Sequence, residues 1–552
     1  MSEKTGEREM VVDSLRYVLV LAVALMAVAQ WAAAQEPSPE EAAMVRARRQ
    51  ATQRPRRIMY NDDGCHTRPY STPDELISLR LRQVVGTQVD TICYCTGGGG
   101  LFWGHIPEVG ELIGESVTDS DAQYVKDICN SLGALRELGT DPLAVAVQFG
   151  HDNGIEVFWS YRMNNIEDSF APWSRTQWKR EHPEYLFGEL EDWEKYEYTD
   201  PRKWWAGLSF EHAEVRDYIV RIFEDVCLRY DIDGVDMDFF RHPRFFRPTT
   251  DGLPVSDEDI AAMTDMVRKV RGLTERIAIE RGRPLLIACR VPLSVERCLA
   301  IGLDIEMWLK DDLVDIVTFG GDLGPMAMAP QLRTMVELAH RCGARAHANL
   351  GGSGMQKAQG YVAHEAWWAA AMNIWHAGAD GIYTFNLFPT EPDVRYSRMG
   401  SPETLRGLDK LYAIDPVEPK NLWGFNRSGL VIPDRLPMVL GPSGRVTAVL
   451  PVGEDVVDNA PEGKTPHALL RLRLAGLVVG DHVVVRLNGH APLIAPPTAP
   501  LTATPATSWF EVALEPTLIK PGDNRICVDL ATKRPVDLSV LLDRLELAVT
   551  YQ

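Results

Sequence analysis

The sequence predicts a (β/α)8 barrel, a TIM barrel, followed by an antiparallel β-sandwich. Three observations predict it. Eight short β-rich runs alternate with amphipathic helical stretches between residues 56 and 414. The first of these runs is not followed by a G-x-G-x-x-G turn, so an open dinucleotide-binding sheet is not indicated. After residue 415 the helical period disappears, and alternating strands between Pro/Gly turns take over.

The strands are expected at 56–62 (RRIMYND), 90–96 (DTICYCT), 154–162 (GIEVFWSYR), 233–240 (DGVDMDFF), 284–291 (PLLIACRV), 315–321 (DIVTFGG), 345–350 (RAHANL) and 381–388 (GIYTFNLF). Between them, 71–85 opens on Ser-Thr-Pro, a helix start. Residues 211–230 are long and amphipathic, 330–343 end in Gly343, and 362–378 end in Gly378. A further helix is expected over 401–414, and TGGGG at 96–100 reads as a flexible loop. Eight strand–helix units over this length close as a ring. Residues 415–552 supply the sandwich, an accessory domain.

The remaining chain is N-terminal. Residues 15–35 run from Arg16 through an apolar stretch to Ala32, Ala33 and Ala34, the pattern of a secretory signal peptide. Residues 1–35 are therefore expected to be removed and 36–55, without periodicity, to be a linker or disordered tail. The expected location is secreted or periplasmic, with no membrane contact after cleavage.

Composition narrows the partners. With 552 residues and a formal net charge of −20, the chain lacks the basic balance that nucleic acid or an anionic membrane requires. Nine cysteines include no C-x-x-C pair. Asp62, Asp63, His66 and His347 are candidate ligands, yet no H-x-H or H-E-x-x-H pattern supports a metal. Neither metal nor cofactor is expected. GGSGM at 351–355 departs from the G-x-S-x-G of serine hydrolases.

In such a barrel the chemistry lies at the C-terminal strand ends. Strand four places Asp236 and Asp238 on one face and Val235, Met237 and Phe239 on the other. The apolar face suits the helices, so the two acids point into the ring. Burying two carboxylates costs several kcal/mol, roughly, unless they are paired or hydrated, which favours a catalytic strand. Arg241 lies just past the tip and is placed to pair with Asp238 or to bind substrate.

DGVDMDFF resembles the D-G-x-D-x-D-x-E signature of family 18 chitinases at its first six positions, but Phe240 stands where the chitinase acid would be. It is closer to the fourth strand of the glycosyl-hydrolase-like family ten barrels, which reads D-G-[IV]-x-[LM]-D-[FY]-x-R-x-P. Asp233, Gly234, Val235, Met237, Asp238, Phe239, Arg241 and Pro243 fit. YRMNNIED (161–168) and HPEYLFG (182–188) are also similar to these proteins. The resemblance spans 56–414 and implies a barrel acting on carbohydrate. GDHVVVRLNGH and PGDNRICVDL resemble strands of galactose-binding-like modules.

Glycoside hydrolysis uses two carboxyl groups. Asp238 is the first candidate and Asp322, past strand six, the second; Asp168, Asp62 and Glu365 follow. Substrate-binding candidates at the other tips are Asp62, Tyr94, Arg162, Asn164, Asp236, Arg241, Arg290, His347, Asn349 and Asn386. The loop 163–210 carries Trp173, Trp178, Trp193, Trp204 and Trp205, aromatic faces on which a sugar ring stacks, Trp173 first among them. The expected function is a secreted glycoside hydrolase with a polysaccharide or oligosaccharide substrate. The alternatives are a non-catalytic carbohydrate-binding barrel and a lyase whose Arg162, Arg241 and Arg290 neutralise a uronate.

Overall fold

Parallel pairing runs all the way round a ring. The computed structural model describes residues 38–66, 68–114, 118, 121–198, 200–320, 329–351, 355, 363–414, 436–440, 444–531 and 539–552. The barrel strands are β1 (Ile58–Asp62), β2 (Val89–Gly98), β3 (Glu156–Arg162), β4 (Gly234–Asp238), β5 (Leu286–Val291), β6 (Ile316–Phe319), β7 (Arg345–Gly351) and β8 (Gly381–Phe385). Each pairs in parallel with the next, and β1 pairs with both β2 (Asn61 opposite Cys93) and β8 (Met59 opposite Tyr383), which closes the barrel. Helices α2 (Pro73–Leu79), α3 (Gln123–Glu137), α4 (Pro142–Asp152), α5 (Ala213–Arg229), α6 (Asp257–Arg281), α7 (Ala329–Arg341) and α8 (His364–His376) follow the strands.

Strand alternation sorts the side chains. Met59, Cys93, Phe158, Leu286, Ala288, Ile316 and Tyr383 form an apolar layer inside the ring. Tyr60, Ile92, Trp159, Val235, Met237 and Ile287 belong to the much larger core under the helices. All nine cysteines are free thiols.

The N-terminal end of the ring is closed by charge. Here the structure corrects the sequence reading, because residues expected to form a linker form helix α1 (Pro39–Thr52). Ser38 and Glu41 cap it reciprocally. Its buried face is polar, which is why an apolar-period reading misses it. Arg48, only 4% exposed, pairs with Asp315 at the foot of β6 and with Asp312. Asp315 also receives Arg271 at 2.7 Å and the Ile287 amide at 2.7 Å. Arg56 grips Glu156 at the foot of β3 at 2.7 Å, and its carbonyl meets His347 Nε2 at 2.8 Å.

Two further expectations are corrected. TGGGG is a buried hairpin, not a flexible loop. β2 runs through Gly98 and pairs antiparallel with Leu101–Phe102. A Cβ on Gly98 would stand 2.7 Å from Arg162 Cβ, and Gly99 takes a φ of +60°, so glycine is required at both. The helix expected over 401–414 is a single turn, Pro402–Leu405, followed by strand β9 (Lys410–Ala413). Gly407, at φ +71°, breaks the helix between them. β9 lies within the span expected for the barrel, yet it pairs with the last strand of the C-terminal sheet.

That C-terminal unit comprises β9, β10 (Met438–Leu440), β11 (Arg445–Val452), β12 (Pro466–Leu477), β13 (Val483–Leu487), β14 (Leu493–Ala495), β15 (Ala506–Leu514), β16 (Gly522–Leu530) and β17 (Val540–Tyr551). One antiparallel sheet runs β9-β17-β12-β15 with β10 beside β17, and the other runs β11-β16-β13-β14. Alternate residues of β12 (Ala468, Leu470, Leu472, Leu474) are buried, as a sandwich requires. The unit is fastened to α8 by Asn373 Nδ2, which donates to the Pro451 carbonyl at 3.2 Å. A buried Lys410–Glu454 pair at 2.9 Å joins its two sheets.

The charged floor yields a stability prediction. Asp315→Ala would leave Arg48 and Arg271 buried without their shared partner. It should cost about 3–5 kcal/mol in denaturant unfolding of the barrel, whereas Arg49→Ala, on the exposed side of the same helix, should cost less than about 1 kcal/mol.

Candidate active site

The carboxylates of β4 do point inward. Asp236 Oδ2 accepts from Ser160 Oγ on β3 at 2.8 Å and from Tyr383 Oη on β8 at 2.8 Å, a bond that crosses the ring. Asp236 is fully buried, and its Oδ1 has no hydrogen-bond partner among the described residues. Burial, then the charge of Asp238, push its carboxyl up to about 6; the Tyr383 and Ser160 hydroxyls oppose this. Asn61 Nδ2 meets the same Ser160 hydroxyl at 3.4 Å.

One layer up, Asp238 is clamped by the neighbouring strand. Arg290 Nε donates to Oδ1 at 2.9 Å and Nη2 to Oδ2 at 2.8 Å, a bidentate fork. The Phe240 amide adds a bond to Oδ1 at 2.9 Å. Both partners are 2% exposed. The Arg290 guanidinium also lies over the Phe385 ring, 3.9 Å from its centroid. The sequence reading offered Arg241 as the partner of Asp238. Arg290 takes that place because residues 238 and 290 are in register on adjacent strands.

Arg241 instead reaches Glu167, at 2.7 Å, on the loop after β3. Arg162 approaches the same carboxylate at 4.0 Å and His242 at 3.9 Å. Glu167 retains 28% side-chain exposure and so meets solvent at the mouth. Burial, then Arg241 and Arg162, hold the His242 imidazole well below its usual range, so it is neutral there. Glu167 was absent from the sequence candidates. Its signal was its place in YRMNNIED, five residues past the third strand tip.

The other candidates separate by depth and face. Asp62 and Tyr94 lie on the helix side of their strands. Asp62 accepts from Tyr60 Oη (3.0 Å), the Gly64 amide (2.9 Å) and Arg80 (3.1 Å), while Tyr94 Oη meets His66 Nε2 at 3.3 Å. His347 belongs to the floor, away from the mouth, because it is the third residue of β7. Asn349 sits mid-ring beside Tyr383 with its Oδ1 unpartnered among the described residues. Asn386 follows β8 in a left-handed conformation, φ +51°. Asn164 is spent on scaffolding: its side chain bonds the Leu208 and Arg244 carbonyls and the Leu208 amide. Asp168 is sealed against Lys179 at 3.0 Å, Glu365 stands on the exposed first turn of α8, and Asp322 lies outside the described residues.

Of the loop tryptophans, Trp204 and Trp205 are 1% and 3% exposed and hold the loop to the barrel. Trp178 is stacked on Tyr218, 4.4 Å between centroids. Trp173 is half-buried, with its ring edge-on to Tyr124 at 6.4 Å. The mouth thus gathers three guanidiniums (Arg162, Arg241, Arg290), two carboxyl groups (Asp238, Glu167) and the rings of Phe240 and Phe385 beside Arg290.

Asp236 makes stability depend on pH. Its folded pKa of about 6 exceeds the ordinary 3.8, so the folded state holds the proton more tightly. That contribution is complete below about pH 4 and is lost as pH rises through about 6. Between pH 4 and pH 7 the wild type should lose about 2 kcal/mol relative to Asp236→Asn, read by urea unfolding of both proteins. Parallel profiles would show that folding leaves the Asp236 pKa unshifted.

Solved structures similar to the chain include the PgaB (BpsB) glycoside hydrolase domain from Bordetella bronchiseptica, at 11% identity over 63% of this chain and 99% of that one, TM-score 0.37. A family 18 N-acetylglucosaminidase from Paenibacillus barengoltzii matches at 11% identity over 62% and 98%, TM-score 0.31. The family 36 α-galactosidase AgaA from Geobacillus stearothermophilus matches at 11% identity over 87% and 56%, TM-score 0.37. Likenesses this distant bear on neither chemistry nor substrate. No curated protein matches the chain in sequence. Residues 122–250, which carry β3 ending in Arg162, β4 ending in Asp238, and the loops bearing Glu167 and Arg241, match the family described as Glycosyl hydrolase-like 10.

Proposed function

We propose that the protein is a secreted or periplasmic glycoside hydrolase that cuts a polysaccharide or oligosaccharide at the C-terminal mouth of its barrel. One observation carries this reading: two carboxyl groups in unlike settings, one at the tip of β4 and one on the loop after the adjacent β3, lie inside the segment that matches a glycosyl hydrolase-like family. Asp238 is fixed by Arg290, positioned to face positive charge developing on the sugar ring. Glu167 reaches solvent on a loop, where it exchanges a proton with the leaving oxygen or with water. Asp322 keeps its place as an alternative second carboxyl. Trp173 supplies a stacking face, and Arg162 and Arg241 read hydroxyls. Export rests on residues 15–35, which lie outside the described residues.

Reducing-end release from a panel of glycans tests the activity. Asp238→Asn should lower kcat by about 10²–10⁴-fold. Glu167→Gln and Asp322→Asn then divide the roles. The variant lacking the general acid retains most activity on an aryl glycoside with a good leaving group, because that bond breaks without a proton donor. Unchanged activity in Asp238→Asn would remove this strand from the mechanism.

A second reading, lytic cleavage of a uronate polymer, is favoured by the surplus of guanidiniums over carboxylates at the mouth. It differs in its products, which would carry a ring double bond and absorb in the ultraviolet.

A further inference from the structure

A hollow adjoins the mouth. A cleft of about 500 Å³ opens between the β1 tip, α2, α3 and the segment after β8, walled by Asp63, His66, Arg80, Tyr124 and Phe388 with Arg68 at its rim. Its size is that of a small-ligand site.

Its polar wall is held in advance. Arg80 spans Asp62 at 3.1 Å and Asp63 at 2.6 Å, and its guanidinium lies 3.9 Å from the centroid of the Phe388 ring. His66 is 3% exposed; its Nε2 is engaged by Tyr94, and its Nδ1 has no partner among the described residues. A buried polar atom left in this state is destabilising, and a bound hydrogen-bonding partner removes that cost. Burial lowers the His66 pKa, so the ring is neutral near pH 7, with one nitrogen donating and the other accepting. A hydroxyl satisfies Nδ1 in either tautomer, since it both donates and accepts. The Tyr124 ring, 48% exposed, supplies an apolar wall.

Charge selects the ligand class. Asp62 and Asp63 balance Arg68 and Arg80, so neither an anion nor a cation is favoured. Hydroxyl-seeking groups beside an aromatic face suit a neutral sugar. The wall is also continuous with the mouth. Trp103 Nε1 donates to the Asp63 carbonyl at 3.0 Å, and the Arg162 guanidinium lies 4.9 Å from the Trp103 ring on its way to Glu167.

We propose that this cleft is a second carbohydrate subsite, which binds a neutral sugar unit of the same chain that is cut at the mouth and makes turnover depend on chain length. The proposal rests on the glycoside hydrolase reading. It is tested with cello-, manno-, galacto- and chito-oligosaccharide ladders from dimer to hexamer. Wild type should show a higher kcat/KM on the hexamer than on the dimer. His66→Ala and Tyr124→Ala should each reduce that ratio about tenfold, one lost hydrogen bond or stacking face, and His66→Gln should restore part of it. Tyr124 is surface-exposed, so its variant keeps the test open should His66→Ala fold poorly. An unchanged ratio in Tyr124→Ala overturns the subsite while leaving the hydrolase reading intact. Should wild type cut none of the ladders, saturation-transfer NMR on the same sugars separates the two readings. Binding that is lost in Tyr124→Ala supports a sugar site without hydrolysis, and no binding to wild type overturns the subsite.

Discussion

A guanidinium and a carboxylate face each other inside the ring, Arg290 on Asp238, both almost wholly removed from water. Neither tolerates burial alone, because an unpaired charge there would cost several kcal/mol, roughly. The fork geometry spends both carboxylate oxygens on one partner, and the Phe385 ring covers the guanidinium from above. This pair sets the level of the mouth. Below it on the same strand face lies Asp236, held by hydroxyls, which burial and the charge of Asp238 cause to keep its proton more readily.

The two ends of the barrel use the same chemistry to opposite effect. At the floor, Arg48, Arg56 and Arg271 are matched closely by Asp315 and Glu156, and helix α1 lies across them. Bonds there go to protein partners, so the end is shut. At the mouth the guanidiniums of Arg162 and Arg241 converge on a carboxylate that still reaches solvent. Polar groups that are fixed but still reach water are what a ligand needs. The cleft beside β1 repeats this pattern with a neutral balance of charge. The long loop after β3 supplies Glu167 to the mouth and packs Trp173 edge-on against Tyr124 of the cleft, and it is steadied by the buried Lys179–Asp168 pair.

Much of this was legible in residue order. The alternation Asp236–Met237–Asp238 gives the inward direction of the acids directly, since a strand has a period of two. The eight runs gave the ring. Other parts were not legible, for physical reasons that differ. Helix α1 buries charge rather than hydrocarbon, so it carries no apolar period. Strand β9 borrows its partner from residues far along the chain, and local propensity cannot show that. His347 resembles the other polar tips in sequence but sits at the foot of its strand, where the start of β7 decides its depth. Trp204 and Trp205 look like ligand platforms until the loop folds over them.

What the sequence by itself determined is periodic and local: the ring of strands, the face each acid takes, the change to an alternating pattern after residue 415. Tertiary structure alone decided the partners. Arg290 rather than Arg241 reached Asp238, Arg241 turned to Glu167, and Asp62 went to Arg80 behind its strand. The physical reason is range. Side-chain direction follows from the backbone over two or three residues, whereas an ion pair between residues tens of positions apart follows from register and closure, which no short stretch contains.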